Sequence, residues 1–303
     1  MKRLIVTADD FGAAHEVNDA VEAAHREGIL SAASLMVTAP AAADAIARAR
    51  RLPRLRVGLH LVLTEGRPLL PASALGHLVD GDGVFRTNLA TLGTVIACSN
   101  AARRQVAAEM SAQFAAFRDS GLTLDHCNAH QHFHLHPVVA ELIVTIGRSF
   151  GLRAVRLPLE PARLLRTVER GASRASVLVT LPFARRLRRR LRAAGLIAPD
   201  RVLGLRWSGQ MTRGRLLALI RNLPEGLTEI YLHPATGSFA GAAPGYRYRE
   251  ELEALLDPEV VAACREPSLQ LGGFGDFADA GPVSVLPRHA HGGAMCERMA
   301  VRP

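Results

Sequence analysis

Apolar and polar positions along this chain fall into short blocks whose period switches between two and about 3.6. Residues 3–8 (RLIVTA) read as a buried strand that ends at Asp9-Asp10-Phe11-Gly12. Val17, Ala20, Val21 and Ala24 then recur at helical spacing, which predicts a helix over about 15–27, closed by Gly28. Residues 34–37 form a second strand, and Pro40 suits the first turn of an alanine-rich helix over about 41–51. A third strand covers 56–62. The alternation continues with helix 102–119, strand 123–128, helix 137–149, strand 153–157, helix 213–222, strand 228–232 and helix 249–265. Strands separated by helices predict a parallel sheet flanked by helices. Seven or so such units suggest a barrel, complete or not.

The chain has 303 residues, enough to bury a large core. Residues 1–278 read as one barrel domain with a basic insertion near 160–205, and the aperiodic, Gly- and Pro-containing stretch 279–303 reads as a disordered tail. No apolar run reaches the roughly 18–20 residues that span a bilayer, and no signal peptide is evident. The expected compartment is therefore the cytoplasm. The four cysteines are scattered without CxxC spacing, which argues against a zinc knuckle or a disulfide framework.

Formal net charge is +9, and Lys2 is the only lysine. A basic surface suggests nucleic acid or anionic membrane as partner. Against nucleic acid, aromatics are only 5% and no stacking platform or finger spacing occurs. Arginine simply replacing lysine explains most of the charge. The exception is the dense run 184–192 (ARRLRRRLR). On a helix, Leu187 and Leu191 would form an apolar stripe flanked by guanidinium groups from Arg185 to Arg192. That pattern suits docking at an anionic membrane face, and equally a solvated helix face. A homodimer is compatible with the sequence.

The informative polar residues fall where predicted strands end, the positions that carry active sites in parallel α/β folds. Asp9 and Asp10 are adjacent carboxylates. A bound cation would hold one as a ligand and leave the other as a base, whereas the bland reading is a helix N-cap. His60 lies in an apolar strand and reads as a ligand or as a core histidine. Residues 126–137 (HCNAHQHFHLHP) hold His126, His130, His132, His134 and His136, a concentration suited to metal ligation with some rings orienting others. His233 ends another β-rich run, where an imidazole could act as a general acid.

Together TADDFG at 7–12, Gly58-Leu59-His60-Leu61, the His130-x-His132-x-His134 cluster and His233-Pro234 resemble the YdjC-like (ChbG) carbohydrate deacetylases, over residues 3–277. The resemblance implies an α/β fold, a distorted (β/α) barrel of the polysaccharide-deacetylase-like type. It implies one divalent ion, Mg2+ or Zn2+, on Asp10, His60 and His130, with Asp9 as general base and His233 as general acid. His132, His134, Arg156 and Trp207 are expected to contact the substrate. The wider family often has Asp in place of Asn128 and His in place of Gln131. Segments 32–37, 128–130, 154–158, 207–212 and 244–247 are similar to the hopanoid-biosynthesis-associated branch, HpnK. That implies an N-acetylglucosaminyl hopanoid as substrate. Soluble chitooligosaccharides are the alternative within the family, and a metal-dependent phosphoesterase or amidohydrolase is the alternative outside it.

Overall fold

A computed structural model of the chain describes residues 1–169 and 175–278. The expected tail at 279–303 lies outside the described residues. Seven strands are defined: β1 (Lys2–Phe11), β2 (Ala32–Leu35), β3 (Arg56–Leu61), β4 (Cys127–Ala129), β5 (Arg201–Leu203), β6 (Gly226–Leu232) and β7 (Leu269–Leu271). They form one parallel sheet in the order β4-β3-β2-β1-β6-β5, with β7 paired to the start of β1. The sheet curls into a half-barrel. Residues 153–157, predicted as a regular strand, instead bridge the remaining gap with isolated contacts that run on to Leu159. Val155 N–H donates to Ile197 O at 2.9 Å, and Val202 N–H to Leu159 O at 2.9 Å.

The helices around the sheet are α1 (His15–Glu27), α2 (Ala42–Arg50), α3 (Leu89–Cys98), α4 (Asn100–Asp119), α5 (Pro137–Ser149), α6 (Ala162–Val168), α7 (Ala175–Ala193), α8 (Arg213–Arg221), α9 (Tyr248–Leu256) and α10 (Pro258–Cys264). Helical spacing places α1, α2, α5 and α8 to within a residue of the prediction. The helix expected over 249–265 is instead two. Pro258 cannot donate to the preceding turn, and the Asp257 side chain caps α10 by accepting from Glu259 N and Val260 N. The apolar stripe of the basic run faces inward: Leu187 and Leu191 are each 1% exposed, in the core. Arg185, Arg186, Arg189 and Arg192 point to solvent, so the stripe itself cannot enter a membrane.

Both faces of the strands are buried, and the alternation divides them. Leu4, Val6 and Ala8 of β1 join the large outer core beneath the helices, as do Ile230 and Leu232 of β6. The opposite set points into the half-barrel. At its lower end Ile5, Ala32, Ala154 and Leu227 pack on Phe274 and Phe277. Toward the carboxyl ends this set turns polar, through Thr7, Asp9, Ser34, His60, Asn128, Arg156, Glu229 and His233. Gly58 makes room for one of these inner groups, since a Cβ there would lie 2.5 Å from the His126 ring.

Candidate metal centre and active site

Neighbours in a regular strand point to opposite faces, so Asp9 and Asp10 should not serve one site. Here the β1–β2 register breaks between Ala8 and Phe11, and Asp10 takes a left-handed backbone, φ 61°. The bulge re-aims Asp10 while Asp9 stays inside the half-barrel. Asp10 Oδ1 then lies 3.3 Å from His60 Nε2 and 3.2 Å from His130 Nδ1. Among the described residues, Asp10, His60 and His130 form the one group able to hold a metal ion, with ligand atoms all within 4.8 Å of one another.

The arrangement fits a cation better than a hydrogen-bonded cluster. Ligand bonds of about 2.0–2.1 Å to zinc or magnesium put neighbouring ligands roughly 2.8–3.4 Å apart. The two short separations above match that spacing. Asp10 Oδ1 is nevertheless buried without a partner in hydrogen-bond geometry, so the three atoms face a common point rather than one another.

Behind the ligands lies a connected polar layer. Asn128 Nδ2 donates to Asp9 Oδ1 at 3.1 Å and to Ser34 Oγ at 3.0 Å. A carboxylate only accepts, so this orientation is forced, and Asn128 Oδ1 must accept from His60 Nδ1–H at 2.7 Å. The His60 tautomer is thereby set, with Nε2 free for the cation. An aspartate at position 128 could still hold His60 but could not donate to Asp9. Ser34 continues the layer to His126 at 3.0 Å, and His126 to Asp125 at 2.9 Å.

Asp9 is 2% exposed and chelated by the Arg156 guanidinium, which also reaches Glu229 Oε1. Tyr231 covers Arg156, its ring centroid 4.6 Å from Cζ. Burial alone would raise the Asp9 carboxyl pKa, but Arg156 and His60 together hold it well below the usual range. Asp10 is likewise pushed up by burial and brought far lower by the adjoining His130 and His60. Burial opposes a charged His130, yet Asp10 and Glu65 raise it to about 10.

His233 sits across the site. Its ring lies 5.0 Å from the Tyr246 ring and 5.6 Å from that of Tyr231, and Nδ1 is buried without a partner. Half-buried Tyr246 is seated against Gly209, φ 69°, where any Cβ would lie 2.1 Å from the ring. The 207–212 and 244–247 segments therefore meet beside His233.

The structure thus gathers Asp10, His60 and His130 around one point, with Asp9 beside His60 and His233 near enough to both aspartates to interact electrostatically. Of the four residues expected to touch substrate, Arg156 is bonded directly to Asp9. Arg156 and His134 are 0% exposed. His132 is turned to the Tyr231 hydroxyl at 3.0 Å. Trp207, 4% exposed, donates Nε1–H to Glu169 at 2.9 Å under Arg215. Arg156, His134 and Trp207 are thus buried, and His132 is partly exposed. Glu65, Asn128 and Tyr246 carry weight that the sequence did not assign them. Asn128 was marked only as a departure from the family pattern, and Glu65 lies in a polar turn with nothing to single it out.

His132 and His134 give the site an acid-sensitive wall. Burial, with Arg156 nearby, drives the His132 pKa far below its ordinary value and that of His134 down to about 3. Both fold as neutral rings, while the unfolded chain protonates them near pH 6.5. Their stabilising contribution is present above that pH and is lost as pH falls toward the folded values. His130 is charged in both states below pH 6.5 and adds no slope there. The unfolding free energy of the metal-free protein is expected to drop by between about 1 and 3 kcal/mol per pH unit below 6.5. Urea midpoints measured from pH 7 to 4.5 test this, and a flat profile above pH 5 would refute it.

Parallel strands curled into a half-barrel, with one carboxylate and two imidazoles facing a common point at their carboxyl ends, define an α/β half-barrel protein with a candidate cation site. More narrowly, the chain belongs to the YdjC-like protein family, which matches residues 3–266. It is 31% identical over 278 residues to the carbohydrate deacetylase of Geobacillus stearothermophilus, covering 90% of this chain and 97% of the relative. It is 34% identical over 319 residues to the carbohydrate deacetylase of Mus musculus, covering 94% and 98%. Among solved structures, a protein from Enterococcus faecalis V583 described as a cellobiose-phosphate cleavage protein shares the fold. Its TM-score is 0.71 at 24% identity, covering 91% of this chain and 98% of that one. No helix among the described residues is long and apolar enough to cross a membrane.

Proposed function

We propose that this chain is a metal-dependent hydrolase that removes the acetyl group from an N-acetylated sugar. The observation that carries the reading is the convergence of Asp10, His60 and His130 beside a second, ionised carboxylate, Asp9. The relatives named as carbohydrate deacetylases supply the substrate class. A divalent ion on the three ligands would polarise the acetamide carbonyl and acidify a water molecule. Asp9 takes the proton of the attacking water, and its own ionisation is secured by Arg156. His233 protonates the nitrogen as the C–N bond breaks, giving acetate and a free amine. Tyr246, half-buried beside His233, offers a ring face to the sugar.

For the substrate we favour N-acetylglucosamine carried on a hopanoid lipid, as the HpnK-like segments suggest. A surface feature supports a lipid-borne substrate. Phe183 is 44% exposed, and an apolar cleft of about 480 Å³ beside it is lined by Pro137, Pro182, Arg185, Arg186 and Arg189. Pro137, which lines the cleft, directly follows the His130–His136 segment in the chain. Apolar side chains rimmed by arginines suit the surface of an anionic bilayer.

Mass spectrometry after incubation with chitooligosaccharides, or with N-acetylglucosaminyl lipid in neutral and anionic vesicles, tests both levels. The expected result is loss of one acetyl group, faster from lipid in anionic vesicles, abolished by chelation and restored by Zn2+ or Mg2+. Acetyl loss from the oligosaccharides alone would overturn the lipid assignment. No acetyl loss from either, with phosphate released from an aryl phosphate, would overturn the deacetylase reading.

A further inference from the structure

Asp10, Glu65, Gln131 and His132 are the four non-glycine residues with positive φ among those described, at 61°, 51°, 55° and 52°. None is a turn glycine's substitute on a remote loop. One carries a cation ligand, two follow the ligand His130 directly, and the fourth, Glu65, meets them from across the cleft. Left-handed backbone strains a residue with a Cβ and persists where the surroundings demand it. Glu65 follows the buried run Val62-Leu63-Thr64 and precedes Gly66, itself at φ 98°. Its strained backbone delivers the carboxylate to two groups. Oε2 lies 3.2 Å from His130 Nε2, and Oε1 accepts from Gln131 Nε2 at 3.0 Å.

We infer that Glu65 is a positioning residue for the cation site, gripping His130 by Nε2–H so that Nδ1 faces Asp10 and the ion. The two ring nitrogens then have separate tasks. Nε2 holds its proton for Glu65, and Nδ1, 3.2 Å from Asp10 Oδ1, keeps its lone pair for the ion. Asn128 performs the same service for the other ring with the nitrogens exchanged, holding His60 Nδ1–H and freeing Nε2. A carboxylate behind a ligating imidazole fixes ring and tautomer and raises the basicity of the ligand nitrogen. Gln131 supplies the second anchor that keeps Glu65 in place. The inference rests on the cation site of the proposed function but not on its substrate.

The test is zinc binding by the full-length, metal-depleted protein, read by calorimetry and by competition with a chromogenic chelator. Glu65→Ala is expected to weaken zinc binding about 10- to 100-fold, with Glu65→Gln in between, since an amide oxygen still accepts but without charge. The Glu65 side chain is 44% exposed, so both variants are expected to keep the wild-type urea midpoint within error. The second readout is the 15N spectrum of the His130 ring. In the zinc-loaded protein the wild-type ring coordinates through Nδ1 with Nε2 protonated, and Glu65→Ala is expected to shift the Nε2–H resonance. Zinc affinity within twofold of wild type in both variants, with an unchanged ring spectrum, would reduce Glu65 to a surface contact and overturn the inference alone. A wild-type protein that takes up no zinc would overturn the inference together with the cation site.

Discussion

Replacing Asp9 with asparagine is expected to lower kcat for deacetylation by about 10²- to 10⁴-fold, the range for removing a general base, while one divalent ion still binds. The substitution leaves all three ligand side chains in place. It keeps the shape of a residue that is 2% exposed and changes only charge and one acceptor. Arg156 is not stranded, because Glu229 still pairs with its guanidinium. Some stability is nonetheless lost, since either orientation of the new amide points an NH2 at an Arg156 donor. Arg156 keeps Asp9 in its reactive, deprotonated form across the neutral range, at the cost of lower intrinsic basicity. Equal loss of kcat and kcat/KM with metal content intact would mark an interaction made in the transition state. Wild-type turnover would refute the assignment of the base, and loss of the metal would recast Asp9 as a support for the ligands.

Arg156→Met should have the largest effect on stability. Two carboxylates, Asp9 and Glu229, share this one guanidinium inside the half-barrel, and Glu229 Oε2 already lacks a hydrogen-bond partner. Methionine fills comparable volume but leaves both acids uncompensated. Removing one member of a buried pair costs about 3–5 kcal/mol, and that loss is expected in urea unfolding at neutral pH. Adding Glu229→Gln to Arg156→Met should recover part of it, since one of the two stranded charges is gone. If the double variant is no more stable than the single one, packing rather than charge governs Arg156.

Much of the outline was legible in one dimension. Val17, Ala20, Val21 and Ala24 mark the buried face of α1, and the same 3.6-residue logic placed α2 and α5. The short apolar run at residues 3 to 8 marked β1 as a buried strand. Polar residues at strand ends, in a fold whose strands all run one way, marked Asp10, His60, His130 and His233 as members of one site. Elements without a clean period were missed or misjudged: α3, α6, β5 and β7 were not anticipated, and the strand expected at 123–128 shrinks to Cys127–Ala129.

The sequence by itself therefore determined which residues share a face of a helix or strand, because local geometry repeats at short, regular spacing. The tertiary structure alone decided which distant groups meet. The strand order β4-β3-β2-β1-β6-β5 carries Arg156 to Asp9, 147 residues away, and Glu65 to His130. A break of register after Ala8 brings two adjacent aspartates into one site against the rule of alternation. Packing on α5 turns Leu187 and Leu191 inward and leaves Phe183 at the surface. Pairings of this kind depend on the path of the whole chain and on a few backbone angles such as φ 61° at Asp10, and no local period records them.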